Sequence, residues 1–249
     1  MNKVVVITGA SAGIGAATAE LLSKQGVSLA LLARREDKLK QVAEKCGPNT
    51  LVVKADAANR EEIRHAVNRT IDRFRKIDVW INNVGQGISR PPSQLTEEDI
   101  DDMIRLNVKS ALYGMQEVLP HFKAAGEGHI INISSMLGRV PFAMIRSAYC
   151  GAKHFLNALT ATFREEIQQT HPNIQFSIVS PPVVRTDFGL NALHGGPDSR
   201  TLPNSQSAEE VAAVIAQVIE SRVPDVYTMP GAHDRVVAYY STLGTDAKN

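Results

Sequence analysis

The sequence predicts an α/β fold built on a doubly wound, mostly parallel sheet of six or seven strands with helices on both faces. Short, continuous apolar runs recur along the chain, and segments with apolar residues at helical spacing separate them. Strands buried on both faces have this appearance, and the intervening helices supply the crossovers that parallel strands need. The predicted strands occupy residues 4–7, 28–33, 51–53, 77–81, 129–133, 174–179 and 226–228.

Three of the predicted helices begin at recognisable capping residues. In each, a side chain that can accept a hydrogen bond is followed three positions later by an acid. The pairs are Asn59 with Glu62, Thr96 with Asp99, and Ser207 with Glu210. The second pair is expected to begin one long helix.

The chain contains no internal repeat and no linker, so residues 1–249 are expected to form a single domain. Its least regular segment, residues 186–206, follows the sixth predicted strand and contains three glycines and two prolines. Long loops in compact domains are often functional. The segment is therefore expected to cover the substrate site, with an ordinary surface loop as the alternative.

Composition excludes several classes of function. The 27 basic and 26 acidic residues give a formal net charge of +1, which provides no electrostatic basis for binding nucleic acid or an anionic membrane. No apolar run approaches the roughly 20 residues that cross a bilayer, and no secretory leader is recognisable. Two cysteines do not form a disulfide framework. A cytoplasmic protein is expected, and the seven histidines show no metal-ligand spacing.

A glycine-rich turn follows the first predicted strand. Gly9, Gly13 and Gly15 lie between that strand and a predicted helix. Glycine permits a close approach of the backbone to a ligand, and the free N–H groups at a helix start attract an anion. A dinucleotide pyrophosphate is the expected anion; a glycine-rich loop without a ligand is the alternative.

Two pairs of polar residues are candidates for proton transfer. Tyr149 and Lys153 share a helix face, where the ammonium is expected to lower the pKa of the phenol. Ser134 and Ser135 end the fifth predicted strand, at the sheet edge where ligands bind in this architecture. The alternatives are a solvated Tyr/Lys pair and serines that only form a turn.

Asn107 interrupts the apolar stripe of the predicted helix that begins near Thr96. A buried amide is costly unless it is hydrogen-bonded. From the residues alone, a role at the site and a structural role within a bent helix remain equally open.

Taken together, these motifs resemble the short-chain dehydrogenase/reductase family between residue 3 and about residue 186. Residues 8–15 match the family's T-G-x-x-x-G-x-G turn, residues 82–85 resemble its N-N-A-G segment, and residues 149–153 match Y-x-x-x-K. The resemblance implies a Rossmann-type fold, a nicotinamide cofactor and homodimers or homotetramers. Two departures are Val84, where alanine is usual, and Pro182, where glycine is expected.

The resemblance also implies the site residues. Ser135, Tyr149, Lys153 and Asn107 are the expected catalytic residues, with Ser134 as an alternative to Ser135 and Asn107 ordering a relay water. The expected cofactor-binding residues are Gly9, Ser11, Gly13, Ile14, Gly15, Arg34, Arg35, Asp56, Ala57, Asn83, Val84, Gly85, Tyr149, Lys153, Pro181, Val184 and Thr186.

The end of the second predicted strand favours NADP(H) as the cofactor. An NAD site usually has an acid there to bind the ribose 2′-hydroxyl, and the resemblance puts Ala33 at that position. Arg34 follows, and a guanidinium suits a 2′-phosphate. NADPH is expected to bind more tightly than NADH.

Apolar residues near the expected site predict an apolar ketone, aldehyde or secondary alcohol as the substrate. One alternative is a 3-oxoacyl thioester reductase, for which Arg139, Arg146 and Arg185 could provide part of a carrier-binding surface. Another is an NADP(H)-sensing protein without turnover.

Overall fold

The computed structural model describes residues 3–244, which form a seven-stranded parallel sheet with helices on both faces. The strands are β1 (Val4–Thr8), β2 (Ser28–Ala33), β3 (Thr50–Lys54), β4 (Val79–Asn82), β5 (Gly128–Ile133), β6 (Ile174–Ser180) and β7 (Asp225–Tyr227). The helices are α1 (Gly13–Lys24), α2 (Glu36–Cys46), α3 (Arg60–Phe74), α4 (Glu97–Ile104), α5 (Ser110–Ala125), α6 (Ser147–Gln168), α7 (Ala208–Ser221) and α8 (Ala232–Ser241). The predicted fold class is confirmed.

The strand order, β3-β2-β1-β4-β5-β6-β7, reverses direction between β1 and β4. In such sheets the connections that leave the two strands at the reversal run to opposite faces of the sheet, and a crevice for a ligand forms outside the carboxyl ends of the strands. The glycine-rich turn leaves β1 at this point.

Alternating side chains of β1 belong to two separate hydrophobic cores, one on each face of the sheet. Val5 and Ile7 pack with α1 and α7 on one face of the sheet, whereas Val6 packs with α3, α5 and α6 on the other. Side chains alternate along a strand, and all three of these are fully buried. Burial on both faces explains why the strand reads as an unbroken apolar run.

The capping predictions are confirmed at two helices and corrected at a third. Thr96 and Ser207 each form a complete capping box. Asn59 accepts hydrogen bonds from the N–H groups of Glu61 and Glu62. However, the Glu62 carboxylate accepts from the Asn59 side chain and from the Asp56 N–H instead of closing the box.

The long helix expected after Thr96 runs without a break from α4 to α5, but its regular hydrogen-bond pattern is interrupted. α4 is followed by a π-helical turn, Arg105–Lys109, before α5 begins. Such turns disturb the regular ladder and are frequent at functional sites, and this one contains Asn107. No helix in the described part of the chain is long and apolar enough to cross a membrane.

Candidate functional site

A cleft of about 1260 Å³ opens at the carboxyl ends of the strands. The glycine-rich turn, the loops after β2 to β5, the start of α6 and the segment after β6 surround it. Of the residues expected at the site, all but Gly15 and Asn107 line this cleft. Gly15 and Asn107 lie behind the cleft surface, and their contacts position residues that line the cleft.

The turn after β1 has the geometry of an anion site. Gly9 and Gly13 have φ values of +67° and +55°, which only glycine adopts without strain. A Cβ on Gly15 would lie 2.6 Å from the Gly9 carbonyl oxygen, so α1 can pack this closely only with glycine there. The cap residue Ala12 offers no side-chain hydrogen bond, which leaves the first N–H groups of α1 available to a ligand.

The loop after β4 holds this turn in place. Asn83 donates from Nδ2 to the carbonyl oxygens of Thr8 and Gly9, over 3.1 and 3.3 Å. Its N–H donates to the Thr8 hydroxyl over 3.0 Å. Asn83 therefore fixes the backbone of the glycine-rich turn and also lines the cleft.

Two arginines lie at the end of β2. Arg34 and Arg35 are both exposed and line the cleft. Arg35 donates from Nη2 to the Ser11 hydroxyl over 3.2 Å, which brings a positive charge to the rim of the glycine-rich turn. The sequence singled out Arg34, whereas the structure gives the direct link to the turn to Arg35.

Ser135 is the serine that reaches Tyr149. Its hydroxyl accepts a hydrogen bond from the Leu137 N–H over 3.1 Å, and it forms a hydrogen bond with the Tyr149 side chain. The Ser134 hydroxyl is buried without a partner among the described residues, and a Cβ on Gly138 would lie 2.9 Å from it. The two serines therefore face different surroundings, and only Ser135 contacts the phenol.

Tyr149 and Lys153 lie on one face of α6, with the lysine Nζ 5.8 Å from the centre of the tyrosine ring. Burial raises the pKa of Tyr149 to about 12, although the hydrogen bond with Ser135 lowers it in part. The expectation that the ammonium makes this phenol more acidic is therefore wrong, because burial raises the pKa of Tyr149 more than the hydrogen bond with Ser135 and the charge of Arg146 lower it, and Lys153 is not among the groups that lower it.

Lys153 is held by one backbone contact. Its Nζ donates to the Ile133 carbonyl oxygen over 2.9 Å, and the side chain is only 3% exposed. Burial lowers the pKa of Lys153 to about 8. The amine therefore lies close to its protonation midpoint near neutral pH, which makes its charge sensitive to any anionic ligand.

Asn107 holds the loop that follows β4. Its Oδ1 accepts from the Gln86 N–H over 3.1 Å, and its Nδ2 donates to the carbonyl oxygens of Gln86 and Met103. One Oδ1 lone pair remains. A Cβ on Gly85 would lie 3.0 Å from Oδ1 and 3.4 Å from the Lys153 Nζ, so the absence of this Cβ leaves space between amide and amine. The structural role that the sequence left open is therefore present, and the same amide lies beside the Lys153 amine.

The segment of residues 186–206 packs against the loop after β4. Leu193 and Gly87 are joined by a hydrogen bond of 2.9 Å, and Ile88 forms an isolated β-bridge with Leu193. At its start, Thr186 lies over the glycine-rich turn, with Cγ2 3.1 Å from the point where a Cβ on Gly13 would be. Pro182 lines the cleft beside it.

Sequence reasoning missed a polar cluster that fastens this segment. His194 approaches Asp99 Oδ1 to 2.6 Å, and Arg90 donates to Asp99 Oδ2 over 2.8 Å. The hydrogen bond with His194 is the largest of the effects that hold the pKa of Asp99 well below its usual range. The capping pattern marked Asp99, but nothing in the sequence pairs it with a residue 95 positions away.

Two of the three arginines considered for a carrier surface have partners within the chain. Arg139 pairs with Asp225 and lies over the Tyr227 ring, at 5.8 Å. Arg185 donates to the Ser205 carbonyl oxygen over 2.5 Å. Among residues 3–244, no group of three or more histidine, cysteine or acidic side chains is arranged to hold a metal ion.

A family model described as short chain dehydrogenase matches residues 3–194. An uncharacterized oxidoreductase from Staphylococcus saprophyticus is 38% identical over 188 residues, covering 75% of this chain and 76% of that protein. Another from Staphylococcus epidermidis is 32% identical over 229 residues, covering 92% of this chain and 97% of that protein.

Solved structures show the same fold. An alcohol dehydrogenase from Thermococcus sibiricus, complexed with 5-hydroxy-NADP, has a TM-score of 0.79 at 27% identity and covers 91% of this chain and 96% of its own. A short chain dehydrogenase/reductase from Burkholderia phymatum, in complex with NAD, has a TM-score of 0.88 at 21% identity, with 100% and 98% covered. With a family model that matches most of its length and two such relatives, this chain belongs to the short chain dehydrogenase family of oxidoreductases.

Proposed function

We propose that this protein is an NADP(H)-dependent oxidoreductase that transfers a hydride between NADPH and the carbonyl carbon of an apolar ketone or aldehyde, or catalyses the reverse oxidation of a secondary alcohol. The observation that carries the proposal is the meeting of Ser135, Tyr149 and Lys153 in the same cleft as the glycine-rich turn. A phosphate site and a proton donor in one cleft are what such a reaction requires.

The residues present fit a dinucleotide. The free N–H groups at the start of α1 suit its pyrophosphate, and Arg34 and Arg35 lie where a 2′-phosphate would need a positive charge. Asp56 and Ala57 line the part of the cleft suited to an adenine, and Val184 and Thr186 the part opposite Tyr149. The cofactor supplies the hydride.

The chain supplies the proton. Ser135 binds the carbonyl oxygen of the substrate, and Tyr149 donates its phenolic proton to that oxygen as the carbon accepts the hydride. Burial raises the pKa of Tyr149, so the phenol is protonated at neutral pH, and the Lys153 ammonium helps it to donate by stabilising the phenolate that donation leaves. The ketone, NADPH and one proton give the alcohol and NADP⁺.

Lys153 and Asn107 restore that proton. Lys153 binds the ribose hydroxyls, and its ammonium, once favoured by the cofactor phosphates, stabilises the phenolate left on Tyr149. The space between the Asn107 amide and the Lys153 amine, left by Gly85, holds a water that passes a proton to the lysine.

Apolar side chains determine the class of substrate. Met136, Leu137, Phe142, Ile145 and Phe188 line the cleft around Tyr149. They favour an aliphatic or bulky carbonyl compound over a small polar one. A 3-oxoacyl thioester on a carrier protein is a less favoured alternative, because Arg139 and Arg185 are engaged within the chain.

The decisive experiment is NADPH oxidation measured against a panel of aliphatic ketones and aldehydes. The Tyr149→Phe variant should lose activity by at least about a hundredfold, the lower end for removal of a general acid, while still binding NADPH by fluorescence titration. Turnover that survives in this variant would contradict the mechanism. NADPH binding without turnover of any carbonyl compound would favour the cofactor-sensing alternative.

The cofactor preference has its own test. NADPH should bind at least about tenfold more tightly than NADH, because a guanidinium–phosphate contact contributes a charge-assisted hydrogen bond. Arg34→Ala should remove most of that difference, and Arg35→Ala should also weaken NADH because it loses the contact with Ser11. Equal affinities of the wild-type protein for the two nucleotides would overturn the preference.

The proposal extends to assembly and location. We expect a homodimer or homotetramer, as the family resemblance implies, and a cytoplasmic location, which two free cysteines, Cys46 and Cys150, support. Light scattering coupled to size exclusion, which should give two or four times 27.1 kDa, tests the assembly.

A further inference from the structure

Arg146 brings a positive charge into the cleft. It is the cap residue of α6, three positions before Tyr149 and so on the same side of the helix. Its guanidinium lies between two loops, where a Cβ on Gly87 would collide with Nη1 and a Cβ on Gly196 would lie 3.0 Å from Nη2. The two glycines therefore leave the space that the guanidinium occupies.

One aromatic ring separates this guanidinium from the proton donor. The Phe188 ring and the Arg146 guanidinium both lie close to the position that a Cβ on Gly87 would occupy. The ring atom Cε1 is 3.1 Å from that position. On its other side, the centre of the Phe188 ring lies 5.6 Å from that of Tyr149. A substrate whose carbonyl group lies at Tyr149 and whose chain extends past Phe188 would reach Arg146.

Arg146 lacks a partner. Its Nη1 is buried without a hydrogen bond, and within residues 3–244 no acid forms an ion pair with the guanidinium. By contrast, Arg90 pairs with Asp99, and Arg200 pairs with Asp187 and Asp198.

The Arg146 side chain is half-buried, and a charge that is partly removed from water without an ion-pair partner costs free energy. Burial accordingly lowers the pKa of the Arg146 guanidinium from its ordinary value. The Ser89 hydroxyl is also buried without a partner, and it lies 2.9 Å from the same Gly196 position that Nη2 approaches. The cleft is lined by Arg146 but not by Ser89, so the guanidinium is the donor that a ligand in the cleft can reach.

We propose that Arg146 binds a carboxylate of the substrate, so that the substrate is an oxo acid with an apolar chain or the corresponding hydroxy acid. The planar fork of a guanidinium matches a carboxylate in two parallel hydrogen bonds. The positive end of α6 adds to the attraction. The single charge of a carboxylate matches the Arg146 guanidinium better than a phosphate dianion does. The inference rests on the proposed reductase function and names the substrate of the same site.

The test compares acids with their methyl esters. With NADPH, kcat/KM is measured for 4-oxopentanoate, 5-oxohexanoate and 6-oxoheptanoate and for the methyl ester of each. At the best chain length the wild-type protein should prefer the acid by about ten- to a hundredfold, the range for a hydrogen bond to a charged group. In Arg146→Met the acid-to-ester ratio should fall at least tenfold, and Arg146→Lys should retain part of it.

A control variant and a binding measurement complete the design. Arg105→Met removes an exposed arginine that pairs with Asp102 on the surface, and its acid-to-ester ratio should stay within twofold of the wild-type ratio. A wild-type preference for the esters, or a ratio that Arg146→Met leaves unchanged, would overturn the inference.

Loss of the proposed function gives a different pattern, in which neither acids nor esters are reduced. Calorimetry on the NADPH-saturated protein then decides, with hexanoate and hexanamide as probes. Tighter binding of hexanoate in the wild-type protein but not in Arg146→Met supports the carboxylate site, and its absence refutes the site.

Discussion

The buried amine of Lys153 should make the stability of the ligand-free protein rise with pH. The pKa of this group is about 8 in the folded protein against an ordinary value of 10.5. Between these values the unfolded chain binds more protons than the folded one, so the free energy of unfolding increases with pH in that window. Below pH 8 the group is charged in both states, and the folded protein bears the full cost of the buried ammonium.

The magnitude follows from the shift. A difference of one pKa unit corresponds to about 1.4 kcal/mol, so the whole window from 8 to 10.5 amounts to about 3 kcal/mol. Between pH 7.5 and pH 10 the part gained is about 2 kcal/mol. With a urea dependence of about 3 kcal/mol per molar, this moves the unfolding midpoint by roughly 0.7 M.

The assay is urea unfolding at pH 7.5 and pH 10, followed by the fluorescence of Trp80, the single tryptophan, which is fully buried. The comparison is between the wild-type protein and Lys153→Met, because other titrating groups then cancel. The variant also loses the bond to the Ile133 carbonyl oxygen, but that loss is the same at both pH values.

The wild-type protein should therefore gain about 2 kcal/mol relative to Lys153→Met on going from pH 7.5 to pH 10. A difference between the two proteins that is constant with pH, or that changes in the opposite direction, would refute the reasoning. Saturating NADPH should reduce the pH dependence, because bound phosphates favour the ammonium.

Two further substitutions test the surroundings of the site. Gly85→Ala fills the space between the Asn107 amide and the Lys153 amine. It should lower kcat at saturating NADPH by about tenfold, because the proton relay is partly lost. Gly151→Ala is the control and should leave kcat unchanged, because a Cβ at this position meets nothing within 4 Å. Asp99→Asn breaks the cluster that fastens residues 186–206 and should speed tryptic cleavage after Arg200 about fivefold, for the loss of about 1 kcal/mol of hydrogen bonding. Asp102→Asn, which affects only an exposed pair, should not; equal cleavage rates in both variants would show that the cluster does not hold the segment.

Local patterns were sufficient for the fold because the inner strands of the sheet are buried on both faces. β1 and β2 read as unbroken apolar runs for that reason, and the capping boxes at Thr96 and Ser207 are contacts between residues three positions apart. Such signals lie within a few residues of one another. The π-helical turn around Asn107 left no signal of this kind, because it arises where the helix meets the loop after β4.

The candidate site also has some features that the local sequence predicts and others that depend on tertiary contacts. The glycine spacing of the turn and the interval between Tyr149 and Lys153 are properties of the sequence, since backbone conformation and helix periodicity fix what they can do. Which serine contacts the phenol was not such a property, and neither was the direction in which the pKa of Tyr149 moves. Both depend on burial and on neighbours distant in the chain.

By itself, the sequence determined the layered parallel sheet, the position of the glycine-rich turn and the residues that we propose for proton transfer, because spacing and side-chain chemistry are local. Only the tertiary structure decided how those groups are charged and which of them have partners. It brings His194 into contact with Asp99, and among the described residues it provides no acidic partner for Arg146. Charge and desolvation depend on everything packed around a group, and that packing is known only once the whole chain has folded.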